Sequence, residues 1–446
     1  NSTQISFSIS EALSAGSITW ESISGTDNDS PHVIKLKDDQ MNGGDFVDFQ
    51  FDELPELKDG VIYNITLNGT DLAGNKGQYA RVENILYDIT PPNFVDLLPQ
   101  NDEFINVANI SYTLTEDLSE GKIVFINVGG VDDPNKDYFI TLAGAKKNKG
   151  KQGGKLPTSI ISLVSGSIYN IKFEGIDAAG NTAPEVIIEN ITFDNINPSL
   201  EIQTPQNNIY TNKPFISYSI SEKLDQSNII LSQVAGTDDS ASPHNILLQE
   251  NEKDQGTYEL IDFNGLKWVD GATYDLSFSG VDFAKNPSNK VEVKNITYDI
   301  TPPVISIDNL SNNIYINNIN LSFTLSESLS SATMIFTHID GSGDPNSPHT
   351  VELVGDELVG GPHNNIELQN IPSLVNGGIY DIDFNGKDYA SNSAKTIYIE
   401  KMHFDNESPE VTISRPLNSE QIKSTVVSYT ITEDLANAFA IFEQTS

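Results

Sequence analysis

Apolar and small polar residues alternate in one short segment that returns five times along the chain. The copies occupy residues 5–11, 110–116, 216–222, 321–327 and 427–433. Successive copies lie 105 or 106 residues apart, a spacing too regular for chance matches. Alternation with a period of two is typical of a β-strand that has one face in a core. The pattern therefore predicts a tandem array, and each unit contains this strand.

Two further positions recur with the same period and predict more strands in each unit. A large apolar residue marks the strand that follows the first segment: Trp20, Phe125, Leu231, Phe336 and Phe442. A tyrosine opens a later alternating strand: Tyr63, Tyr169, Tyr274 and Tyr380. A tyrosine at the head of the penultimate strand suits the corner of immunoglobulin-like sandwiches, in which its hydroxyl bonds back to the backbone. An ordinary half-buried strand tyrosine would give the same pattern, so both interpretations stay open.

Proline closes each unit, in the endings at residues 87–92, 193–198, 298–303 and 404–409. Because proline has no amide to donate to a ladder, it ends the strand and stiffens the passage into the next unit. Short strands without helical periodicity predict an all-β chain of tandem immunoglobulin-like β-sandwich domains, arranged as an extended rod. The predicted domains are repeat 1 (1–92), repeat 2 (93–198), repeat 3 (199–303), repeat 4 (304–409) and a partial repeat 5 (410–446). We expect repeat 1 to lack its opening strand and repeat 5 to stop after its third.

The charge of the chain narrows the range of partners. Acidic residues number 63 against 25 basic ones, which gives a net charge of −38 at pH 7. This charge repels nucleic acids and attracts divalent cations that prefer oxygen ligands, Ca²⁺ above all. The sequence has no cysteine, which excludes disulfide bonds and thiolate metal sites. No apolar run approaches the roughly 20 residues that span a bilayer, so no membrane span is predicted here, and export signals are expected outside this segment.

A turn that begins with Asp and ends with Asn recurs at residues 71–75, 177–181, 282–286 and 388–392. With these turns and the Asp-x-Thr-x-Pro type of unit ending, nearly the whole chain resembles the bacterial Ig-like repeats of large cell-surface adhesins. The resemblance implies an extracellular rod at the cell surface that Ca²⁺ stiffens between units.

The expected topology brings acidic residues together where one unit meets the next. In an immunoglobulin-like sandwich, the loop after the second strand and the loop between the last two strands lie at the pole where the chain enters. Three sets of metal ligands are predicted there, a logic similar to that of cadherin linkers: Asp88, Glu116, Asp177 and Asn181; Asp194, Glu222, Asp282 and Asn286; Asp299, Glu327, Asp388 and Asn392. Carboxylates held close repel one another unless a cation lies among them, and Ca²⁺ accepts six to eight oxygens. Alternatively, the turn Asp and Asn bond their own backbone and the Glu is solvated.

A second recurrent loop, at residues 25–32, 236–244 and 341–349, ends in Pro-His. It is either a surface patch for glycans or ions, or a turn whose ring caps the edge of the core. Tyr138 replaces the histidine in repeat 2, which keeps a ring but loses a metal ligand and so favours the turn.

The sequence contains no nucleophile elbow, phosphate loop or helical metal motif, so no enzyme and no catalytic residue are predicted. The predicted function is a structural and adhesive segment of a surface rod or filament. Its partners would be neighbouring repeats or copies of the same protein. A glycan- or protein-binding repeat module and an accessory region of a secreted enzyme are the alternatives.

Overall fold

The computed structural model describes residues 4–262 and 267–444, and nearly all of their regular structure is β-strand. The all-β prediction is confirmed. The helices in these residues are four 3₁₀ turns at Asp38–Met41, Gly144–Lys147, Glu250–Glu252 and Gly355–Leu358. No helix in the described ranges is long and apolar enough to cross a membrane.

The chain divides into two compact units. The first comprises Asn1–Pro198, Lys223–Asp225 and Val281–Ser288. The second comprises Ser199–Glu222, Gln226–Gly280 and Asn289–Ser446. Pro92, Pro198, Pro303 and Pro409 each lie between strands, and the predicted domain bounds at these prolines remain a proposal.

Two sheets form in each of the first two repeats. Repeat 1 has β1 (Ile5–Ile9), β2 (Leu13–Ser24), β3 (His32–Lys35), β4 (Gly44–Phe49), β5 (Val61–Asp71) and β6 (Ala80–Tyr87). Repeat 2 has β7 (Phe94–Leu98), β8 (Phe104–Ile105), β9 (Asn109–Leu114), β10 (Glu120–Gly130), β11 (Asp137–Thr141), β12 (Gly150–Lys155), β13 (Ser167–Ile176) and β14 (Val186–Phe193). The sheet orders are β3-β2-β5-β6 with β1-β4, then β11-β10-β13-β14-β8 with β12-β9-β7. In repeat 2, Tyr112 and Leu114 from the smaller sheet share one core with Phe125 and Phe173 from the larger.

Repeats 3 and 4 keep the arrangement of repeat 2. Repeat 3 has β15 (Leu200–Thr204), β16 (Tyr210–Thr211), β17 (Phe215–Ile220), β18 (Leu224–Gly236), β19 (His244–Ile246), β20 (Gly256–Asp262), β21 (Ala272–Asp282) and β22 (Val291–Tyr298). Repeat 4 has β23 (Ile305–Ile307), β24 (Tyr315–Ile316), β25 (Asn320–Leu325), β26 (Ser331–Gly341), β27 (His349–Glu352), β28 (Gly361–Glu367), β29 (Gly378–Lys387) and β30 (Ile397–Phe404). Their sheet orders are β15-β17-β20 with β16-β22-β21-β18-β19, and β23-β25-β28 with β24-β30-β29-β26-β27.

The third strand that was predicted for repeat 5 is not found among the described residues. It contains β31 (Val411–Arg415) and β32 (Ser428–Ile431), which pair with each other. The described residues after Ile431 form no strand, and Phe442, the predicted mark of a third strand, is 73% exposed. The sheet of β31 and β32 has no third strand among the described residues. The backbone amides after Ile431 therefore have no strand to bond to, and an extended conformation would leave them without ladder hydrogen bonds. The matching residues Trp20, Phe125, Leu231 and Phe336 are buried on β2, β10, β18 and β26, as predicted.

Two glycines of repeat 4 provide a matched test of backbone strain. Gly341 and Gly355 have φ angles of 80° and 57°. A Cβ on Gly341 would overlap the carbonyl oxygen of Gly377, whereas a Cβ on Gly355 meets open space. We expect Gly341→Ala to lower the free energy of unfolding by about 3 kcal/mol and Gly355→Ala by about 1 kcal/mol. Denaturant unfolding of the two variants measures the difference, and equal losses would contradict the close approach at Gly341.

Candidate metal sites and the buried aspartates

The turn at residues 177–181, between β13 and β14, holds the carboxylate of Asp177 in a fixed orientation. Asp177 is buried, and its Oδ1 accepts hydrogen bonds from the backbone amides of Ala179 and Asn181, both at 2.8 Å. The side-chain Nδ2 of Asn181 donates to Asp177 Oδ2 at 2.8 Å. This is the local turn chemistry that Asp and Asn favour. Because each carboxylate oxygen has two lone pairs, Asp177 retains acceptor capacity for a further ligand.

The same turn is bonded to the end of the preceding repeat. Asn181 Nδ2 also donates to the carbonyl oxygen of Asp88 at 3.1 Å. Asp88 follows β6, and its Oδ1 accepts the backbone amide of Thr90 at 3.1 Å. The amide of one asparagine therefore joins the last strand of repeat 1 to the turn of repeat 2.

Glu116, in the loop after β9, completes an acidic cluster with these two residues. One carboxylate oxygen each of Asp88, Glu116 and Asp177 lies within 4.8 Å of the others. Desolvation, together with the charges of Asp88 and Asp177, raises the pKa of Glu116. The three charges therefore repel one another, as the sequence predicted for this pole.

The second unit contains an equivalent cluster. Carboxylate oxygens of Asp299, Glu327 and Asp388 also lie within 4.8 Å of one another. Asn392 Nδ2 donates to the carbonyl oxygen of Asp299 at 2.8 Å and to Asp388 Oδ2 at 2.9 Å. Desolvation and the neighbouring carboxylates raise the pKa of Glu327, and desolvation raises that of Asp299. The arrangement of the first cluster is thus repeated.

Part of the remaining predicted set lies in the first unit. Asp282 and Asn286 repeat the turn, because Asn286 Nδ2 donates to Asp282 Oδ2 at 2.8 Å. Asn286 Nδ2 also donates to the carbonyl oxygen of Asp194 at 2.8 Å. Glu222 belongs to the second unit.

The three asparagines present their amide nitrogens to carboxylate and carbonyl oxygens. The side-chain oxygens of Asn286 and Asn392 accept hydrogen bonds from Asn106 and Asn212, at 3.1 and 3.0 Å. The asparagines thereby orient the aspartates, while their role as direct metal ligands remains a prediction.

A lysine distinguishes the first cluster from the one in the second unit. The backbone amide of Lys149 donates to Asp117 Oδ1 at 2.6 Å, next to Glu116 in the chain. The ammonium charge of Lys149 opposes the rise in the pKa of Glu116. Gly360, which takes the corresponding place in repeat 4, donates its amide to Ser328 Oγ at 3.0 Å and carries no charge. No cation is among the charges that shift the pKa of Glu327, so this cluster lacks the compensation that Lys149 supplies at the first one.

The recurrent tyrosines form a second set of polar contacts, inside each repeat. The hydroxyl of Tyr169 accepts the backbone amide of Val164 at 3.0 Å and donates to Asp133 Oδ2 at 2.6 Å. The other repeats have the same pair of bonds, with distances between 2.6 and 2.9 Å: Tyr63 with Lys58 and Asp27, Tyr274 with Val269 and Asp239, Tyr380 with Val375 and Asp344. The corner interpretation is therefore the correct one of the two, and the hydroxyl also binds an aspartate.

The Pro-His loop supplies another donor to these aspartates. His32, His244 and His349 place Nε2 2.6 to 2.7 Å from the same carboxylate oxygen that the tyrosine binds. In repeat 2, the hydroxyl of Tyr138 takes this place, at 2.9 Å from Asp133 Oδ2. The loop is thus a turn whose ring contacts a buried aspartate, as the replacement by tyrosine indicated.

Ionisation of the tyrosine–aspartate pairs is shifted in opposite directions. The hydrogen bond from Tyr63 lowers the pKa of Asp27 to about 2. Burial and the bond to Asp27 raise the pKa of Tyr63 to about 12. The aspartate is therefore ionised, and the tyrosine neutral, across the ordinary pH range.

A comparison with known protein families identifies the family of the chain. A family model described as bacterial Ig-like domain (group 3) matches residues 43–187 and 257–397, which is more than half of the chain. The chain belongs to the bacterial Ig-like domain family. This match confirms two predictions, the immunoglobulin-like fold class and the tandem repetition of this Ig-like chain. No curated protein sequence matches the chain.

Solved structures similar to the Ig-like chain include a tetra-tandem repeat in the extending region of a large adhesion protein. That structure is 15% identical, covers 90% of this chain and 95% of its own, and has a TM-score of 0.30. The chicken CNTN1 FN1-FN3 domains are 12% identical, over 70% of this chain and 100% of theirs, with a TM-score of 0.25. Fibronectin(III)-like modules of Clostridium thermocellum CbhA are 14% identical, over 47% and 94%, with a TM-score of 0.27.

The four aspartates that bind the tyrosines were missed as site residues in the sequence. They are Asp27, Asp133, Asp239 and Asp344. Their spacing of 105 or 106 residues is the same as that of the repeat, and three of them precede a histidine by five residues. That recurrence, compared with the recurrence of the tyrosines, was the signal that could have found the pairs.

Proposed function

We propose that this Ig-like chain is a non-catalytic structural and adhesive segment of an extracellular surface protein, in which Ca²⁺ stiffens the junctions between repeats. The observation that carries the proposal is the convergence of three carboxylates from two consecutive repeats, found once in each compact unit. An ion bound by both repeats would couple their orientations. A chain of such junctions would hold an adhesive end away from the cell or form the body of a filament.

The chemistry of the donor set favours Ca²⁺ among the common cations. The clusters Asp88–Glu116–Asp177 and Asp299–Glu327–Asp388 offer only carboxylate oxygens, and they contain no histidine. Zinc and copper prefer nitrogen or sulfur ligands, and Mg²⁺ demands a tighter octahedron and gives up its waters reluctantly. Ca²⁺ accepts six to eight oxygens in flexible geometry, so three carboxylates and several waters suit it.

Electrostatics supports the same assignment. The pKa values of Glu116 and Glu327 are raised, partly by the neighbouring carboxylates, so each ionised cluster is repulsive, and Lys149 offsets this repulsion only in part at the first one. A divalent cation would remove this repulsion and stabilise the folded chain. The loops considered for glycan binding bond their Asp and His to residues of their own repeat, which favours the structural role.

Thermal unfolding with and without calcium tests the proposal. A ligand present at about 100 times its Kd stabilises the folded state by about 2.7 kcal/mol, so excess Ca²⁺ is expected to raise the melting temperature over that in EGTA. Mg²⁺ at the same concentration serves as the control and is expected to have a much smaller effect. Melting curves that coincide in Ca²⁺ and EGTA would refute the calcium role. Antibody labelling of intact cells tests display at the surface separately.

A further inference from the structure

Repeat 2 carries a basic edge on an otherwise acidic chain. Five lysines lie between residues 146 and 155, and β12 is the outer strand of its sheet, with β9 as its one neighbour there. Lys146, Lys149, Lys151 and Lys155 are exposed. Among the described residues, none of the five lysines forms an ion pair. We call residues 146–155 the lysine edge. Lys146 and Lys147 donate to the backbone carbonyl oxygens of Gly153 and Ser119, and the charge of Lys149 acts on Glu116, so Lys151 and Lys155 offer the positive charge that is most available to a partner.

The same place in repeat 3 is acidic. Strand β20 pairs with β17 as β12 pairs with β9, and it too is an outer strand. The hydroxyls of Tyr112 and Tyr218 donate to the carbonyl oxygens of Lys146 and Glu252, at 2.8 and 3.1 Å, which fixes the correspondence of the two segments. Residues 250–262, the acidic edge, contain Glu250, Glu252, Asp254, Glu259 and Asp262 with one lysine. The two edges are thus matched in position and opposite in charge.

We propose that the lysine edge of one molecule docks on the acidic edge of a second copy of this chain. Outer strands carry backbone groups that can pair with another strand, and lysines on an edge disfavour pairing with a like edge. Lysine edge on lysine edge and acidic edge on acidic edge therefore repel, and the mixed pairing is selected. The contact joins different surfaces on the two molecules, so repeat 2 of one copy lies beside repeat 3 of the other.

A second copy suits the lysine edge better than a long anionic polymer. A long polyanion would extend past the lysine edge and contact the surface beside it, where screening does not remove the repulsion of a chain whose net charge is −38. Between two copies, the Debye length of about 8 Å at physiological ionic strength screens the distant charges, so the local match decides. The proposal is independent of calcium and stands if the junction clusters bind no ion.

Sedimentation equilibrium of the full chain with charge-reversal variants tests the docking. One variant is Lys151→Glu with Lys155→Glu, and the other is Glu259→Lys with Asp262→Lys. Each alone is expected to weaken self-association at least ten-fold at about 0.1 M salt. An equimolar mixture is expected to restore it, because the unaltered acidic edge of the first variant meets the unaltered lysine edge of the second. The control, Lys290→Glu with Lys294→Glu, makes the same change in net charge as the first variant away from both edges.

Three results would overturn the proposal. The wild-type chain would remain monomeric up to about 1 mM, the mixture would stay dissociated while the wild type associates, or the control would weaken association as much as the lysine-edge variant. Retention of the wild type on a polyphosphate column without self-association would assign the lysine edge to an anionic polymer instead. Circular dichroism of each variant ensures that loss of association is not loss of fold.

Discussion

Replacement of Asp133 by alanine is expected to lower the free energy of unfolding of repeat 2 by about 3 kcal/mol. Asp133 is fully buried and accepts hydrogen bonds from the hydroxyls of Tyr169 and Tyr138 at 2.6 and 2.9 Å, and from the backbone amide of Asn135 at 2.9 Å. Without the carboxylate, the fully buried hydroxyl of Tyr169 loses its acceptor, whereas the partly exposed Tyr138 keeps the carbonyl oxygen of Ser162. A buried donor without a partner costs more than the hydrogen bond itself contributed.

Hydrogen exchange of the full chain measures this effect locally. The amides of β10 and β13 are expected to lose protection in the Asp133→Ala variant, while those of repeat 4 serve as an internal reference. Tyr138→Phe is the matched control, because it removes one donor and leaves Asp133 bonded to Tyr169; we expect it to cost about 1 kcal/mol. Unchanged protection in Asp133→Ala would show that the buried aspartate has no stabilising role.

Glu327→Gln is expected to abolish most of the stabilisation by calcium in the second unit and to weaken Ca²⁺ binding there at least about ten-fold. In EGTA, the same substitution is expected to stabilise the fold slightly, by about 0.5 kcal/mol after solvent screening, because it removes one of three repelling charges. Calorimetric calcium titration and melting in EGTA measure the two effects. Glu367→Gln, an exposed position on β28 outside the cluster, is the control. A variant that melts like the wild type in both conditions would exclude Glu327 from the site.

The raised pKa of Glu327 also predicts how the stability of the chain changes with pH. The folded pKa of Glu327 lies above its ordinary value of 4.5, so the folded chain binds protons more tightly than the unfolded chain. Stability in EGTA therefore falls as pH rises from about 4.5 through the raised pKa. Excess Ca²⁺ is expected to offset this fall, so the gain in melting temperature from calcium increases towards neutral pH.

Period and alternation predicted the repeat, its β-strands and the corner tyrosine, because burial on one face of a strand imposes a pattern of two. The convergence of Asp88, Glu116 and Asp177 followed from topology alone, since the loops that carry them share one pole of an immunoglobulin-like sandwich. These features depend on strand order and on little else.

Other features depend on side-chain geometry that periodicity does not encode. The direction of the Asn181 amide, towards Asp177 and the carbonyl oxygen of Asp88, follows from hydrogen bonds formed only after two repeats have met. The bond from Tyr169 to Asp133 joins residues 36 positions apart. The influence of Lys149 on Glu116 requires knowing which loops lie side by side. Each of these features depends on tertiary contacts. The sequence shows only that the residues recur or differ between repeats.

The carboxylates of repeat 4 include groups whose pKa is shifted in opposite directions. In repeat 4, hydrogen bonds with His349 and Tyr380 lower the pKa of Asp344, whereas desolvation and the neighbouring carboxylates raise the pKa of Glu327. In mildly acidic surroundings, the junction takes up protons while the tyrosine–aspartate pairs stay charged and bonded. Protonation of Glu327 would then reduce the same repulsion that the proposed Ca²⁺ would remove, so the junction is expected to tolerate mild acid in the absence of calcium.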